Sequence, residues 1–523
     1  MPARGLNPTD SQVLGFFSDV LIVGAGPSGL VLALWLNKLG VNVRIIDKAH
    51  GPGTTSRALL VHARTLELYG QLELAEAVVA GGYQADVMNL WAGGQRRARV
   101  EIGAIGKGIT PFPWLEVFPQ DEHERLLVDR LAAVGIAIER NTELLDFTDL
   151  GTHVCARFRN AQGNEETCEA LFIAGCDGAR SVVRQRILGD FPGGTYQQIF
   201  YVADIRGSGP VMNGEVHIDI DEADFLLVFG MERGQRVRLV GVVSGERAEH
   251  AETLTFDDVS KKVIRNLQLQ IGKVDWFSTY HVHHRVATHF RKGRAFLVGD
   301  AGHLHSPVGG QGMNTGIGDA INLAWKLAAV VQGKAGERLL DSYEAERRPF
   351  ALRLVNTTDR MFTLATSPGR FAKFVRTRLV PRAMPLIVRL SAVQRLMFRT
   401  VSQTMISYRN GPLGSGKAGR VHGGDRLPWA PAGGRDNFAS LNTMHWQVHV
   451  YGRATPEVTQ WCISHDVPLQ VFDWSPEHEQ AGLAPDALYL IRPDSYVALA
   501  DPSGSASELE RFFATRIRWR EGA

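Results

Sequence analysis

Residues 20–29, VLIVGAGPSG, decide the fold of this chain. Aliphatic residues run without interruption into a glycine-rich turn, which is typical of a strand buried on both faces of a parallel sheet. A helix to about Leu39, a second strand from Val41 to Ile46 and the acidic residue Asp47 follow. This order of strand, turn, helix, strand and acid predicts a Rossmann-like dinucleotide-binding domain of the α/β class.

The glycines and the acid of this motif have separate roles. The glycines allow the tight turn and the close approach of a pyrophosphate, and the acid can accept a hydrogen bond from a ribose hydroxyl. The motif alone does not separate FAD from NAD. The candidate cofactor-binding residues here are Gly24, Gly26, Pro27, Ser28, Gly29, Asp47 and Lys48.

A second strand, glycine loop and helix occur far along the chain, at residues 294–314, RAFLVGDAGHLHSPVGGQGMN. Asp300 ends the strand, where it could hold a sugar or ribityl hydroxyl. Gly310 and Gly312 let the backbone come close to a flat ligand. From Met313 onward apolar residues recur at helical spacing, and the start of that helix suits a developing negative charge.

The run GDAGHLHSPVGGQGMNTGIGDAINLAWKLA, residues 299–328, resembles the second flavin-binding signature of the class A aromatic hydroxylases. These are single-component FAD monooxygenases such as p-hydroxybenzoate and phenol hydroxylases. Gly302 departs from the alanine usual there. The resemblance implies that Pro307 and Gly312 border the reacting flavin, and that the flavin contacts include Asp300, Pro307, Gly310, Gly312, Met313 and Asn314.

Further stretches resemble the same family. In residues 56–70, SRALLVHARTLELYG, the resemblance places Arg57 beside the flavin. Gln120 matches a glutamine that hydrogen-bonds the flavin, and Arg125 follows it on a predicted helix. Asp177 belongs to a "DG" fingerprint implicated in FAD and nicotinamide binding. Residues 339–349, LLDSYEAERRP, also match.

An antiparallel sheet is predicted from residues 191–284 together with residues 87–118, set over the flavin with the substrate between them. Alternating strands are expected at 202–206, 214–220, 225–231 and 237–243. Candidate acid–base residues in this pocket are His217 and Tyr280, with His281, His283 and His284 as further candidates; a structural or solvated role is the alternative for each. The acidic residues between 219 and 224 indicate a solvated hairpin, and no metal site is expected.

The carboxyl-terminal part begins with a basic, partly amphipathic segment at 366–400, expected to pack beside the flavin domain; membrane association is the alternative. The glycine- and proline-rich stretch 411–434 reads as a linker. Beyond it the order of strands and helices is thioredoxin-like, and relatives of phenol hydroxylase carry such a domain. The predicted segments are an FAD domain at 18–86, 119–190 and 285–365, a substrate domain at 87–118 and 191–284, a helical segment and linker at 366–420, and the thioredoxin-like domain at 421–523.

Composition excludes several classes of protein. A net charge of +2 and a pI near 8.3 give no case for nucleic acid as a partner. The four cysteines form no CxxC motif, and a disulfide between Cys155 and Cys168 across a hairpin is not expected in a reducing cytosol. With neither a signal peptide nor an unbroken apolar run, the chain is expected to be cytoplasmic. A homodimer is compatible with the sequence, which does not fix the oligomeric state.

The resemblance implies a monooxygenase that uses FAD, NAD(P)H and O2 to hydroxylate a phenolic or polycyclic aromatic substrate through a flavin C4a-hydroperoxide. No second GxGxxG follows a strand, so NAD(P)H would bind transiently over the flavin domain. An oxidase, a dehydratase or a Baeyer–Villiger enzyme on the same scaffold is the alternative reaction, because fold does not fix chemistry. A non-catalytic dinucleotide-binding protein is the alternative from another class.

Overall fold

The computed structural model describes residues 17–53, 58–187, 190–220, 225–232, 236–243, 254–306, 309–366 and 390–517. Arg57, Pro307, the acidic residues 221–224 and most of the basic segment 366–400 lie outside the described residues. The strands are β1 (Phe17–Val23), β2 (Val43–Ile46), β3 (Leu60–Val61), β4 (Tyr83–Ala85), β5 (Val87–Ala92), β6 (Gln95–Glu101), β7 (Leu115–Val117), β8 (Ile138–Glu139), β9 (Glu143–Asp149), β10 (Val154–Arg159), β11 (Glu165–Gly175), β12 (Gly193–Ser208), β13 (Val216–Ile220), β14 (Phe225–Glu232), β15 (Arg236–Val243), β16 (Gln270–Val286), β17 (Arg291–Lys292), β18 (Ala295–Leu297), β19 (His303–Leu304), β20 (Ser415–Ala418), β21 (Val421–His422), β22 (Gln447–Tyr451), β23 (Leu469–Phe472), β24 (Leu488–Ile491) and β25 (Val497–Asp501). The α-helices are α1 (Pro27–Lys38), α2 (Ala63–Gly70), α3 (Ala75–Gly81), α4 (Ile102–Gly106), α5 (Gln120–Ala133), α6 (Val182–Ile187), α7 (Lys261–Asn266), α8 (Gln311–Val331), α9 (Asp341–Thr366), α10 (Ser391–Val401), α11 (Pro456–Ser464), α12 (Pro476–Ala481) and α13 (Ala506–Phe512).

The first sheet has the strand order β17-β18-β11-β1-β2-β8. Strands β18, β11, β1 and β2 run parallel, so their carboxyl ends meet at one edge of the sheet. The apolar residues of β1 are buried, and α1 and α8 pack into the same core. The predicted mixed α/β class is confirmed.

The second sheet has the strand order β19-β16-β12-β15-β14-β13-β5-β6. Its neighbours are antiparallel apart from the β13–β5 pair. The predicted strands are present but longer, and β12 and β16 pair along most of their length. Residues 115–117 leave this sheet for a smaller one with β3 and β4, unlike the prediction for 87–118, because β7 pairs with the flavin-side strands.

The two faces of the second sheet have different surroundings. One face carries Val202, Trp276 and Tyr280, and it meets Leu60 and Val117 of the small sheet. The other face is packed under α7 and holds Trp91, Tyr201, Ala203, Leu226 and Val228 in a separate apolar core. Because Leu60 lies against Gly310, the first face is the one that looks toward the glycine loop before α8.

The third sheet has the order β21-β20-β25-β24-β22-β23. Part of the predicted linker belongs to it, since Ser415 and Gly416 of β20 pair in parallel with β25. Gly416 has a φ of +72°, and a Cβ atom there would overlap the carbonyl oxygen of Ala500. The glycines of this stretch therefore serve a close backbone approach rather than flexibility, and the linker prediction was wrong at these residues.

The four cysteines are free thiols. In the hairpin of β10 and β11, Cys155 is opposite Glu169 and Cys168 is opposite Ala156. An offset of one residue turns the two thiols to opposite faces of the sheet, so they do not meet. In the described part of the chain, no helix is both long and apolar enough to span a bilayer.

Candidate flavin site

The parallel sheet brings four predicted residues to one edge. Gly24 follows β1, Asp47 follows β2, Asp177 lies just beyond β11 and Asp300 just beyond β18. Residues separated by up to 276 positions therefore share the carboxyl edge, which is where open α/β sheets bind ligands.

The glycine turn before α1 is fixed by close backbone contacts. Gly24 has a φ of +103°, and a Cβ atom on it would lie 2.6 Å from the carbonyl carbon of Cys176. A Cβ on Gly29 would overlap the carbonyl oxygen of Gly24. At Gly26 no described atom lies within 4 Å of that position, so this glycine faces open space at the start of α1. Pro27 is the first helical residue, a position that tolerates its missing N–H.

Asp47 stabilises the turn from the neighbouring strand. Its Oδ2 accepts a hydrogen bond from the Ala25 amide at 2.6 Å, and its Oδ1 accepts from the Ala49 amide at 2.7 Å. Arg140 lies 3.5 Å away and balances the charge. Lys48, in contrast, is exposed.

Ser28 has a packing role that the sequence did not suggest. Its hydroxyl lies between Gly299, after β18, and Gly316 on α8; a Cβ on Gly299 would lie 2.7 Å from it, and one on Gly316 would overlap it. The side chain thus fills the contact between α1, α8 and the Gly299 turn. If Ser28 binds a phosphate, the hydrogen bond would come from its backbone amide in the first turn of α1.

The start of α8 is held by a left-handed turn and one amide side chain. Gly309 and Gly310 have φ values of +81° and +64°, and Gly310 caps the helix. The Asn314 Oδ1 accepts from the His62 amide at 2.8 Å and the Thr65 hydroxyl at 2.7 Å. Its Nδ2 donates to the carbonyls of Leu60 at 2.8 Å and Gly310 at 3.0 Å.

The side-chain amide of Asn314 is therefore saturated by protein partners and positions the loop. A cofactor contact of Asn314 would come from its backbone. Gly312 and Met313, the second and third residues of α8, are half-buried. The backbone amides of this first turn are therefore the groups that can face an anionic ligand.

Gln120 is the first residue of α5 and reaches the chain that follows Arg57. Its side-chain oxygen accepts from the Ala58 amide at 3.3 Å, and its Nε2 donates to Glu124 at 2.8 Å. Arg125 is exposed and pairs with Asp121 at 2.6 Å. Its contact with the cofactor stays a prediction.

Asp177 and Asp300 differ in their environment. The Asp177 Oδ2 accepts from the amides of Val182 at 2.7 Å and Val183 at 3.2 Å. Its Oδ1 is buried and finds no hydrogen-bond partner among the described residues, and burial raises the pKa of this carboxyl. Asp300 is exposed at the end of β18.

These features fit an FAD molecule. Gly26 leaves space beside a helix N-terminus for a pyrophosphate, the buried Asp177 Oδ1 suits a polyol hydroxyl, and the left-handed turn before α8 exposes backbone for a flat ring. FAD would be held by the backbone of the turns at 24–29 and 309–313, with Asp177 and Asp300 at the edge between them.

Several positioning residues at this edge were not predicted. Asp319 on α8 accepts from the Gly299 amide at 3.1 Å, from His303 Nε2 at 2.7 Å and from Arg347 Nε at 2.6 Å, all buried. Burial raises the pKa of Asp319, but the charges of Arg347 and His303 outweigh it and hold the pKa below its usual value. The signal was present: Asp319 is an acid within a long helix that is mostly apolar, and a charge buried there needs partners.

Of the two acid–base candidates in the second sheet, only Tyr280 is on the face toward the glycine loop. His217 pairs with Val228 and shares the opposite face with Trp91. The Trp91 Nε1 donates to its Nδ1 at 3.1 Å, and its Nε2 lies 2.8 Å from the Asn213 oxygen. Burial lowers the pKa of His217 to about 4. The structure thus places His217 on the face away from the glycine loop, held by Trp91 and Asn213, and its catalytic role stays a prediction.

Residues 18–358 match the model of the FAD binding domain family. The chain is 34% identical over 516 residues to 6-methylpretetramide 4-monooxygenase of Streptomyces rimosus, covering 92% of this chain and 90% of that one. It is 32% identical over 366 residues to pentachlorophenol 4-monooxygenase of Sphingobium chlorophenolicum, covering 67% and 65%. The structure of the OxyS anhydrotetracycline hydroxylase from Streptomyces rimosus superposes with a TM-score of 0.76 at 26% identity, covering 96% of this chain and 99% of that one.

The glycine turns and buried acid at the sheet edge thus occur in a chain that matches this family over its whole flavin-binding part. The chain belongs to the FAD-dependent aromatic monooxygenases.

Proposed function

We propose that this monooxygenase uses NAD(P)H and O2 to hydroxylate a polycyclic phenolic substrate. The observation that carries the proposal is the apolar face of the second sheet, which is set against the glycine loop of the flavin site. Leu227, Met231, Trp276 and Tyr280 on this face are partly exposed within an otherwise buried cluster. A flat aromatic substrate would cover such side chains and exclude water from them.

The relatives support the size of the substrate. Proteins named for 6-methylpretetramide and anhydrotetracycline are similar to this chain over most of its length. The apolar face extends from Met88 on β5 to Tyr280 on β16, and residues of α4 and α10 close its side. A surface of this extent suits several fused rings better than one.

FAD, when bound, supplies the electron-transfer and oxygen chemistry, and the protein binds, orients and shields it. The unpaired amides in the first turn of α8 would stabilise negative charge that develops on the ring facing them. We place Pro307, Arg57 and Gly312 beside that ring because the sequence resemblance puts them there. Of the predicted acid–base set, Tyr280 lies in the apolar cluster of the substrate face.

We also propose the finer domain assignment. The βαβ unit of β1, α1 and β2 with its glycine turn supports a Rossmann-like FAD domain built from 18–86, 119–190 and 285–365. In the carboxyl-terminal domain, β22 and β23 are parallel, β24 is antiparallel to β22, and β25 is antiparallel to β24. This order supports a thioredoxin-like domain, here with Cys462 as its one cysteine, so a redox role through a cysteine pair is excluded.

The test is aerobic oxidation of NADH and of NADPH by the FAD-loaded protein, with phenol, 2-naphthol or anhydrotetracycline added and product masses followed. We expect anhydrotetracycline to accelerate oxidation and to gain one oxygen. Oxygen consumption without NAD(P)H would indicate an oxidase instead, and unaccelerated oxidation with every probe would reject the aromatic hydroxylase.

A further inference from the structure

A buried carboxylate on α2 connects the carboxyl-terminal domain to the substrate pocket. Glu67 receives Arg426 Nε on Oε2 at 2.7 Å and Arg426 Nη2 on Oε1. Arg64 also donates to Oε2, at 3.1 Å. The third partner is the Thr110 hydroxyl, which donates to Oε1 at 2.6 Å.

Arg426 makes a second contact beyond Glu67. Its Nη2 donates to the carbonyl oxygen of Ile109 at 3.1 Å. The guanidinium of Arg426 therefore binds Glu67 on α2. It also holds two consecutive residues of the segment 102–113, because it contacts Ile109 directly and reaches Thr110 through Glu67. We call this segment the pocket wall.

The pocket wall lines the substrate face. Ile102, Ile105 and Ile109 pack in the same apolar cluster as Trp276 and Tyr280. The wall is tight at its middle, because a Cβ atom on Gly106 would lie 2.8 Å from the Pro113 Cα and would press on the ring of Phe398. A shift of residues 109 and 110 would thus change the shape of the cavity beside Tyr280.

We propose that Arg426 is a positioning residue for the substrate: by holding Glu67 and the Ile109 carbonyl, the carboxyl-terminal domain fixes the pocket wall and sets the selectivity for large aromatic substrates. This inference rests on the proposed function, since it concerns the same pocket. It gives a role to a domain that lacks a cysteine pair.

The chemistry of the contact favours positioning over simple stabilisation. The planar guanidinium offers donors in a fixed fork, which matches two carboxylate oxygens and one carbonyl at once, and a lysine ammonium cannot reproduce that geometry. Buried ion pairs are in general weak sources of net stability, because desolvation offsets the attraction. Burial alone raises the pKa of Glu67, but Arg426 and Arg64 outweigh it and keep the pKa below its usual value, so the acid stays charged.

The experiment compares Arg426→Lys and Thr110→Val with the control Arg409→Lys, all as FAD-loaded full-length proteins. Arg409 lies in the segment that precedes this domain and forms an exposed bidentate pair with Asp425, the residue before Arg426, at 2.6 and 2.9 Å. Anhydrotetracycline is the large probe and 2-naphthol the small one. For each protein we would measure the Kd of each probe from flavin absorbance without NAD(P)H, then KM, kcat, the peroxide formed per NAD(P)H, the FAD content and the Tm.

We expect Arg426→Lys to raise the Kd and KM for anhydrotetracycline about tenfold, equivalent to about 1.4 kcal/mol. Its peroxide yield should rise, while 2-naphthol binding and FAD content stay within about twofold of the wild type. Thr110→Val should act in the same direction, and the double variant should add little because both side chains act through Glu67. Arg409→Lys should match the wild type.

A lowered Tm with unchanged Kd, KM and coupling in both Arg426→Lys and Thr110→Val would show a merely structural contact and overturn the inference. An equal rise in Kd for both probes would also overturn the inference, because the pocket wall would then not discriminate by substrate size. If the wild type binds anhydrotetracycline but does not oxidise it, the proposed function fails while the Kd comparison still decides the role of Arg426. If the wild type binds neither probe, both fail.

Discussion

Gly26 and Gly29 lie three residues apart in one turn, yet alanine should act on them in opposite ways. A Cβ on Gly29 would overlap the Gly24 carbonyl oxygen, well inside the 3.0 Å that real Cβ contacts respect. That carbonyl would have to move by roughly 1 Å. Overpacking of this kind costs about 3 kcal/mol, and the better helix propensity of alanine returns about 1 kcal/mol. Gly29→Ala should therefore destabilise the protein by about 2 kcal/mol even without cofactor.

Gly26→Ala should leave the cofactor-free fold almost unchanged. Gly26 has φ −80° and ψ −178°, which any residue adopts, and no described atom lies within 4 Å of its Cβ position. Alanine at a helix N-cap costs about 0.5 kcal/mol relative to glycine. The new methyl group would occupy the space where the pyrophosphate must approach, so FAD affinity should fall about 100-fold, or about 2.7 kcal/mol.

The assay is a pair of measurements on each variant: Tm after removal of FAD, and the Kd for FAD from flavin fluorescence quenching. Gly29→Ala should lower the Tm of the cofactor-free protein by roughly 4 °C. Gly26→Ala should leave that Tm within about 1 °C of the wild type and lose FAD. Wild-type FAD affinity in Gly26→Ala would refute the placement of the cofactor at this turn.

Three further predictions concern single side chains. Asn314→Leu should lower the free energy of unfolding by about 3 kcal/mol and weaken FAD retention, because the two donors and two carbonyls that bind the Asn314 side chain would lose their hydrogen bonds. Unchanged urea unfolding would contradict this. Burial raises the pKa of Glu116 to about 7, so its stabilising contribution is complete below the unfolded pKa near 4.5 and is lost as the pH rises through about 7. The Tm of Glu116→Gln relative to the wild type should accordingly rise from pH 5 to pH 8. An equal difference in Tm at both pH values would count against a buried neutral acid. Tyr280→Phe should change the KM of the aromatic probe while His217→Gln leaves kcat/KM near the wild type, and the reverse result would mean that the faces of the second sheet are assigned wrongly.

The sequence was sufficient for the part of the site that depends on strand order. A glycine turn follows β1, an acid follows β2, and an acid next to a glycine follows β11 and β18. Parallel pairing brings the ends of these strands together without further information. Gly24, Asp47, Asp177 and Asp300 were predictable for that reason. Such motifs are local, so their placement needs only the rule that parallel strands end at one edge.

Side-chain direction could not be obtained in the same way. In the second sheet, alternation tells which residues share a face but not which face meets the flavin, and a shift of one residue exchanges the two sets. His217 and Tyr280 were equally good candidates until the partners of β13 and β16 were known. The side-chain contacts of Ser28 and Asn314 could not be predicted for a related reason: they involve α8, α2 and the Gly299 turn, which are distant from one another in sequence.

The partners of two buried acids, Glu346 and Glu67, also could not be predicted from the sequence, because arginines of the carboxyl-terminal domain bind them. Glu346 on α9 is enclosed by Lys326 at 2.9 Å and Arg492 at 2.7 Å, and Glu67 by Arg64 and Arg426. In each case the acid and one arginine come from parts of the chain more than 140 residues apart. The sequence shows only Arg64, three residues from Glu67, as a local partner. If Arg426 and Arg492 were removed with the carboxyl-terminal residues, Glu67 would keep Arg64 and Glu346 would keep Lys326, but each carboxylate would lose the arginine with which it forms a bidentate pair. Because the loss of one partner of a buried ion pair costs up to about 3–5 kcal/mol, the carboxyl-terminal residues stabilise α2 and α9 as well as their own sheet.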